Sequence, residues 1–274
     1  MPKALHCGRY ELILDRPLMM AIINLTPDSF SGDGVDVSRD KAFMLAERAL
    51  AAGAAILDIG GESSRPGAQA VSVQEELDRV LPVVEALVPL GAPISVDTVK
   101  PEVMREAIRA GASMINDINA LRAPGAIEAV ADTDVGVCLM HMQGEPRTMQ
   151  AAPHYQDVVA EVTAFLNERA GILHAADIEQ KRIVIDPGFG FGKTLEHNAA
   201  LFRALPDIVA LGYPVLVGVS RKSMLGQITG QPVGERLSAS VAAAVMAAQH
   251  GAAIVRVHDV AETRDALLTL AALR

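Results

Sequence analysis

The sequence predicts a (β/α)8 barrel, and three observations predict it. Eight short apolar runs recur along 274 residues, separated by stretches with helical period that are long enough for right-handed crossovers. Most of those stretches stop at a glycine just ahead of the next run, at Gly53, Gly91, Gly111, Gly212 and Gly251, as left-handed helix caps would. Each run also ends on a polar residue, and a barrel brings all its strand ends to one face. An open doubly wound sheet is the alternative, but it rarely needs eight such regular units.

Taken in order, residues 4–16 alternate weakly around Gly8-Arg9 and predict a short hairpin or lid ahead of the main fold. The strands follow at about Leu18–Ile23, Ala55–Ile59, Ile94–Val96, Met114–Ile115, Val135–Met140, Ile183–Ile185, Val215–Val219 and Ile254–Val257. Between them, sets such as Phe43, Ala46 and Leu50, or Val103, Ala107 and Ala110, mark the buried faces of helices. Ser72 with Glu75 and Asp259 with Glu262 read as capping boxes, and Pro101 suits a first helical turn. After the seventh strand an extra segment, Lys222–Gly230, precedes the helix that begins near Gly234; a short helix inserted there is where barrels often bind phosphate.

No linker or charge block divides the chain, so residues 1–274 are expected to form one domain. A formal charge of −9 without any basic run argues against nucleic acid as a partner. The amino-terminal stretch lacks the apolar core of a signal peptide, and no run of roughly 20 apolar residues exists. Cys7 and Cys138 fit neither a disulfide framework nor a metal spacing, and Cys138 reads as a buried inert thiol. A reduced, cytoplasmic enzyme without a membrane partner is the expectation.

The strand ends read Asn24, Asp58 with Gly60-Gly61-Glu62, Asp97, Asn116 with Asp117, His141, Asp186, Ser220 with Lys222, and Arg256 with His258. Any one of these could simply cap the next helix; eight in phase are hard to obtain that way. The set divides by charge. Asp97, Asn116 and Asp186 suit a flat heterocycle carrying several N–H donors, whereas Arg65, Lys222, Arg256 and His258 suit an oxyanion such as phosphate or diphosphate. Asp58 and Asp117 are left open between chemistry and a structural bond to loop backbone. Two Gly-, Pro- and Ser-rich loops, 24–34 and 60–68, have the composition of covers that close over a substrate.

In order and in register with these strands, NLTPDSFS, GGESSRPGA, SVDT, IND, MHMQGEPRTMQ, DPGFGFGK, SRKS and RVHD resemble dihydropteroate synthase from about Met20 to Val260. The resemblance implies a pterin-binding TIM-barrel transferase of folate biosynthesis. Such an enzyme condenses 6-hydroxymethyl-7,8-dihydropterin diphosphate with 4-aminobenzoate, with Mg²⁺ on the leaving diphosphate, and is a sulfonamide target and usually a homodimer. Carried over by position, Asp97, Asn116, Asp186 and Lys222 match the pterin site, with Arg256 against the ring face. Asn24 matches the residue that helps hold Mg²⁺, and Arg256 with His258 the anion site. Ser223 matches the group facing the benzoate carboxylate, at a helix start that favours negative charge. Phe30, Ser64, Arg65, Pro66 and Phe191 match residues around the aminobenzoate ring. Two departures stand out: the first loop reads SGDG where the family more often has SDGG, placing an aspartate at Asp33, and Ser64 replaces the commoner threonine. A pterin-binding methyltransferase barrel serving a corrinoid partner would share the Asp, Asn and DPG anchors, but not the covering loops or SRKS. A non-catalytic paralogue would be marked by loss of Asn24, Arg65 or Lys222, all present here.

Overall fold

A computed structural model describes residues 3–25, 35–64 and 67–273. The chain begins with an antiparallel hairpin, β1 (Ala4–Cys7) and β2 (Tyr10–Ile13), in which Leu5 pairs with Leu12. Eight parallel strands follow: β3 (Leu18–Asn24), β4 (Ile56–Gly60), β5 (Ile94–Asp97), β6 (Met114–Asp117), β7 (Gly136–Met140), β8 (Ile183–Asp186), β9 (Leu216–Val217) and β10 (Ile254–Val257). Their order is β8-β7-β6-β5-β4-β3-β10-β9, and an isolated parallel bridge between Ile185 and Val215 joins the two ends into a barrel. The helices around it are α1 (Val35–Ala51), α2 (Val73–Leu87), α3 (Pro101–Ala110), α4 (Ala126–Ala131), α5 (Val158–Ala175), α6 (Leu195–Arg203), α7 (Leu205–Val209), α8 (Ser223–Thr229), α9 (Leu237–Gln249) and α10 (Val260–Leu273). Among the described residues no helix is long and apolar enough to cross a membrane.

Local chemistry accounts for the boundaries. All five glycines expected after helices have positive φ, from 71° at Gly91 to 114° at Gly111. Pro101 opens α3, which buries Val103, Met104 and Ala107 on one face. The inserted helix is present as α8, stopped by a left-handed Gly230. Ser72 caps α2 by accepting from Glu75 N at 3.2 Å, but the reciprocal half of the expected box is not made, because the Glu75 carboxylate pairs with Arg79 one turn on. The Asp259 carboxylate is likewise engaged by Arg221, whose Nε donates at 3.0 Å. A box that the sequence reading missed opens α6, where Thr194 and His197 cap each other; histidine takes the place usually held by Glu or Gln.

Strand alternation makes two layers of core. One set of side chains, including Ala21, Leu57, Val96, Ile115, Leu139, Ile185 and Val255, faces the helices. The other set, Met20, Ile56, Met114, Cys138, Val184, Leu216 and Ile254, fills the barrel interior. The hairpin does not act as a lid over the polar strand ends. Its Leu5 and Cys7 join the interior set and plug the amino-terminal mouth. Gly136 permits that docking, since a Cβ there would lie 2.8 Å from Cys7 Sγ and 3.1 Å from His6 O. Burial pushes the Cys7 thiol up to about 12 and raises Cys138 well above its ordinary range, so both are inert thiols.

Candidate active site

Two residues beyond the interior apolar layer, the same alternation turns polar groups inward. Asp58, Asn116 and Asp186 follow Ile56, Met114 and Val184, and Arg256 follows Ile254. The Asp58 carboxylate is fully buried and accepts from Arg256 Nε at 2.6 Å and from Asn116 Nδ2 at 3.4 Å. Arg256 Nη2 donates to Asp97 Oδ2 at 3.1 Å. One guanidinium thus ties together three strands that lie far apart in sequence, and Asp58 adds a fourth through Asn116. Burial opposes its charge, but Asp58 and Asp97 outweigh that and hold Arg256 above its ordinary range. Burial pushes Asp97 up to about 7, against the pull of Arg256. Among the described residues Asp58 Oδ1 has no hydrogen-bond partner.

Asp186 ends β8 and accepts from Gly188 N at 2.7 Å. Burial raises its pKa, with the charge of Lys222 the largest influence opposing it. Lys222 is in turn pushed down to about 8 by burial, opposed by Asp186. Its ammonium donates to Phe189 O and stands 4.4 Å from the centre of the Phe191 ring. Phe191 belongs to an apolar wall with Ile118, Met140, Met142, Met149 and Val99. Ser220 Oγ lies 3.0 Å from His258 Nδ1 and also accepts from His258 N at 3.2 Å, which places His258 at the mouth beside the SRKS turn. Ser223 is the first residue of α8 and is exposed. Asn24 ends β3 opposite Gly60 of β4. A cavity of about 710 Å³ opens over the ends of β4 to β7, with Asp97, Ile118 and Met142 in its wall and Ser64 and Arg147 also lining it.

The site is therefore not split into an acceptor half and a cationic half, as the charge reading expected. Arg256 sits between Asp58 and Asp97, and Lys222 acts on Asp186. The physical reason is that a cation inside a barrel must be paired where it lies. His141 is a further correction. Alternation sends Met140 inward and His141 to the outer side, where its ring meets Phe165 edge-on with 5.0 Å between centroids. Asp117 also faces outward and accepts from Asn119 N at 2.6 Å and Leu121 N at 2.8 Å, so its role is structural. Asp58 goes the other way, into the cluster. Phe30, Asp33, Arg65 and Pro66 lie outside the described residues.

Sequence reasoning missed a second buried network. Lys100 bridges Glu62, at the foot of the second loop, to the fully buried Glu76 of α2. The signal was present: Glu76 falls on the apolar face formed by Val80, Val83, Val84 and Leu87.

Residues 20–258 match the family model described as pterin binding enzyme. The chain belongs to the dihydropteroate synthase family of these enzymes. It is 52% identical over 258 residues to the dihydropteroate synthase of Escherichia coli K12, covering 94% of this chain and 92% of that protein. The Burkholderia cenocepacia dihydropteroate synthase, solved with 7,8-dihydropteroate, superposes with a TM-score of 0.91 at 53% identity, over 100% of this chain and 97% of that one. The Yersinia pestis dihydropteroate synthase, solved with a sulfonamide drug complex, gives 0.94 at 49% identity and 99% of each chain. As a dihydropteroate synthase family member the chain is an enzyme, a transferase.

Proposed function

We propose that this chain condenses 6-hydroxymethyl-7,8-dihydropterin diphosphate with 4-aminobenzoate, releasing diphosphate and giving 7,8-dihydropteroate by an SN1-like path. The observation that carries the reading is the buried cluster of Asp58, Asp97, Asn116, Asp186, Lys222 and Arg256, held together at one mouth of a family barrel. Asp97, Asn116 and Asp186 present acceptors and an amide to the N–H edge of the pterin, and Lys222 serves its ring acceptors. Arg256, pinned in place by two carboxylates, lies against the ring face and faces the leaving group together with His258.

Chemically, the bond from the pterin methylene to the diphosphate oxygen breaks first, and its electron pair leaves with the diphosphate. The positive charge left on the methylene spreads into the ring, close to the carboxylates of Asp97 and Asp186, which stabilise it where water is excluded. The arylamine then forms the C–N bond, and the ammonium so formed loses its proton to solvent water; the amine is a weak neutral nucleophile and needs positioning more than deprotonation. Ser64, Arg65, Pro66, Phe30 and Phe191 would hold its ring, and Ser223 its carboxylate.

Mg²⁺ suits the residues present. Asn24, at the carboxyl end of β3 opposite Gly60, offers one amide oxygen. Among the described residues no group of three or more His, Cys, Asp or Glu could hold a metal. A single protein oxygen fits an ion that arrives on a diphosphate and keeps water in its other positions. Bound there, Mg²⁺ supplies Lewis-acid neutralisation of the departing diphosphate.

The test follows diphosphate and dihydropteroate together, with Mg²⁺ present, with and without 4-aminobenzoate. Coupled appearance of both products supports the reading; tight pterin binding without turnover would leave a binding paralogue instead. In the same assay a sulfonamide should raise the apparent KM for aminobenzoate, and no such rise would remove the assignment of the benzoate subsite. We further read the chain as a cytoplasmic homodimer. Apolar side chains exposed on the last two helices, Leu237, Met246 and Leu268, support this, and a monomer mass by light scattering at micromolar concentration would refute it.

A further inference from the structure

The lysine of the DPGFGFGK segment, Lys193, takes no part in the pterin site. Lys193 is 3% exposed, yet its ammonium is fully engaged: Gly188 O lies at 2.9 Å, Phe191 O at 3.0 Å, His141 Nδ1 at 3.0 Å and His141 O at 3.3 Å. These acceptors come from both sides of a seam, two from the turn after β8 and two from His141, the residue that follows β7. The turn exposes its carbonyls inward because Gly188, Gly190 and Gly192 all have positive φ, at 70°, 79° and 61°. It is also pressed hard against the β7 side. A Cβ on Gly188 would fall 1.9 Å from His141 O, and one on Gly192 would fall 2.4 Å from Gln143 O. Such a turn buries several carbonyls at once, and each left without a donor costs about 1–3 kcal/mol.

We propose that Lys193 is a positioning residue: a tethered amino group in a cage of acceptors that bolts the 188–192 turn to the end of β7, and through that turn sets the geometry of Lys222 and Asp186. Three links carry the effect. Phe189 O, inside the turn, receives the Lys222 ammonium. The Phe191 ring stands beside the same ammonium, 4.4 Å away. Gly188 N, at the start of the turn, donates to Asp186 Oδ1. Lys193 touches none of these functional atoms; it holds the backbone that does. His141 completes the cage as a neutral ring with Nδ1 unprotonated, in keeping with burial and Lys193 depressing its pKa to about 3. This also gives His141, which the alternation removes from the pocket, a reason to stand at a strand end.

The inference rests on the pterin reading of the site, so the wild-type enzyme is the first control. If it neither binds the dihydropterin diphosphate nor turns it over, the proposed function fails and the variants are moot. With wild type active, Lys193→Met should raise the KM for the pterin diphosphate, and its Kd measured by calorimetry without aminobenzoate, about tenfold, while kcat stays within about twofold, the signature of lost uniform binding. His141→Phe keeps a ring against Phe165 but removes the acceptor, and should shift pterin KM in the same direction by about threefold. A folded Lys193→Met with unchanged pterin KM overturns the proposal. So does a fall in kcat and melting temperature with KM unmoved, which would mark Lys193 as a stabilising residue only. Should Lys193→Met fail to fold, His141→Phe decides alone: an unchanged pterin KM in that variant overturns the proposal.

Discussion

At the amino-terminal mouth the barrel interior is Met20, Ile56, Met114, Cys138, Val184, Leu216 and Ile254, sealed by Leu5 and Cys7 of the hairpin. Two residues further along four of those strands stand Asp58, Asn116, Asp186 and Arg256. The two mouths share strands, twist and alternation, and differ only in which side chains occupy consecutive inward positions. Apolar groups at one mouth need nothing but each other, so that end supplies stability. Charged groups at the other need partners with donors and acceptors in fixed places, so that end is ordered by pairing and keeps capacity for a ligand. Conservation of burial with reversal of polarity lets one barrel carry a core and a site without a separate domain for either.

Substitutions at the two ends should therefore fail differently. The largest effect is expected from Asp186→Asn, which swaps a twin acceptor for a mixed amide beside Lys222 while keeping an oxygen for Gly188 N. Pterin affinity should fall about a hundredfold or more with a cooperative melt retained; calorimetry showing unchanged affinity would break the assignment. Next, Asp58→Ala strips Arg256 of its closest carboxylate and leaves a buried charge half-paired, at a cost of about 3–5 kcal/mol in stability together with loss of pterin binding. Denaturant melts that show neither change would mean that the cluster is not the organising unit of its mouth.

At the opposite end Leu5→Ala removes a fully buried side chain from the plug and should cost about 2–5 kcal/mol in denaturant melts, with kcat/KM intact at temperatures where the variant is folded. A kinetic effect without a stability effect would show that the two mouths are coupled rather than divided. The smallest and most graded effect is on pH. Asp97, raised to about 7, loses its proton as pH rises through that value, and Lys222, lowered to about 8, loses its own just above. Pterin kcat/KM should then be bell-shaped, dropping about tenfold per unit below pH 7, and Asp97→Asn should flatten the acid limb. For stability the sign runs the other way. A carboxyl raised from its ordinary 3.8 binds a proton in the folded state that the unfolded chain lacks, so Asp97 contributes less as pH rises from about 4 to about 7.

The barrel is legible in the residues alone, because it rests on local rules repeated along the chain: apolar runs, helical period, and glycine at five helix ends. So are the polar strand ends and the ordered motifs that mark the family. The direction and partner of each polar group come from the folded chain alone. His141 and Asp117 occupy strand ends as good as any, yet they face outward, because a strand reverses its face at every residue and a shift of one position at the end of a run reverses the reading. Asp58 owes its place in the cluster to Arg256, 198 residues later, whose Nε lies 2.6 Å from its carboxylate. The grouping of cations with carboxylates, and the cage that Lys193 fills, have the same origin. A charge in a low-dielectric interior takes whatever partner the fold brings within reach, and that distance is set by barrel closure rather than by anything written near the residue itself.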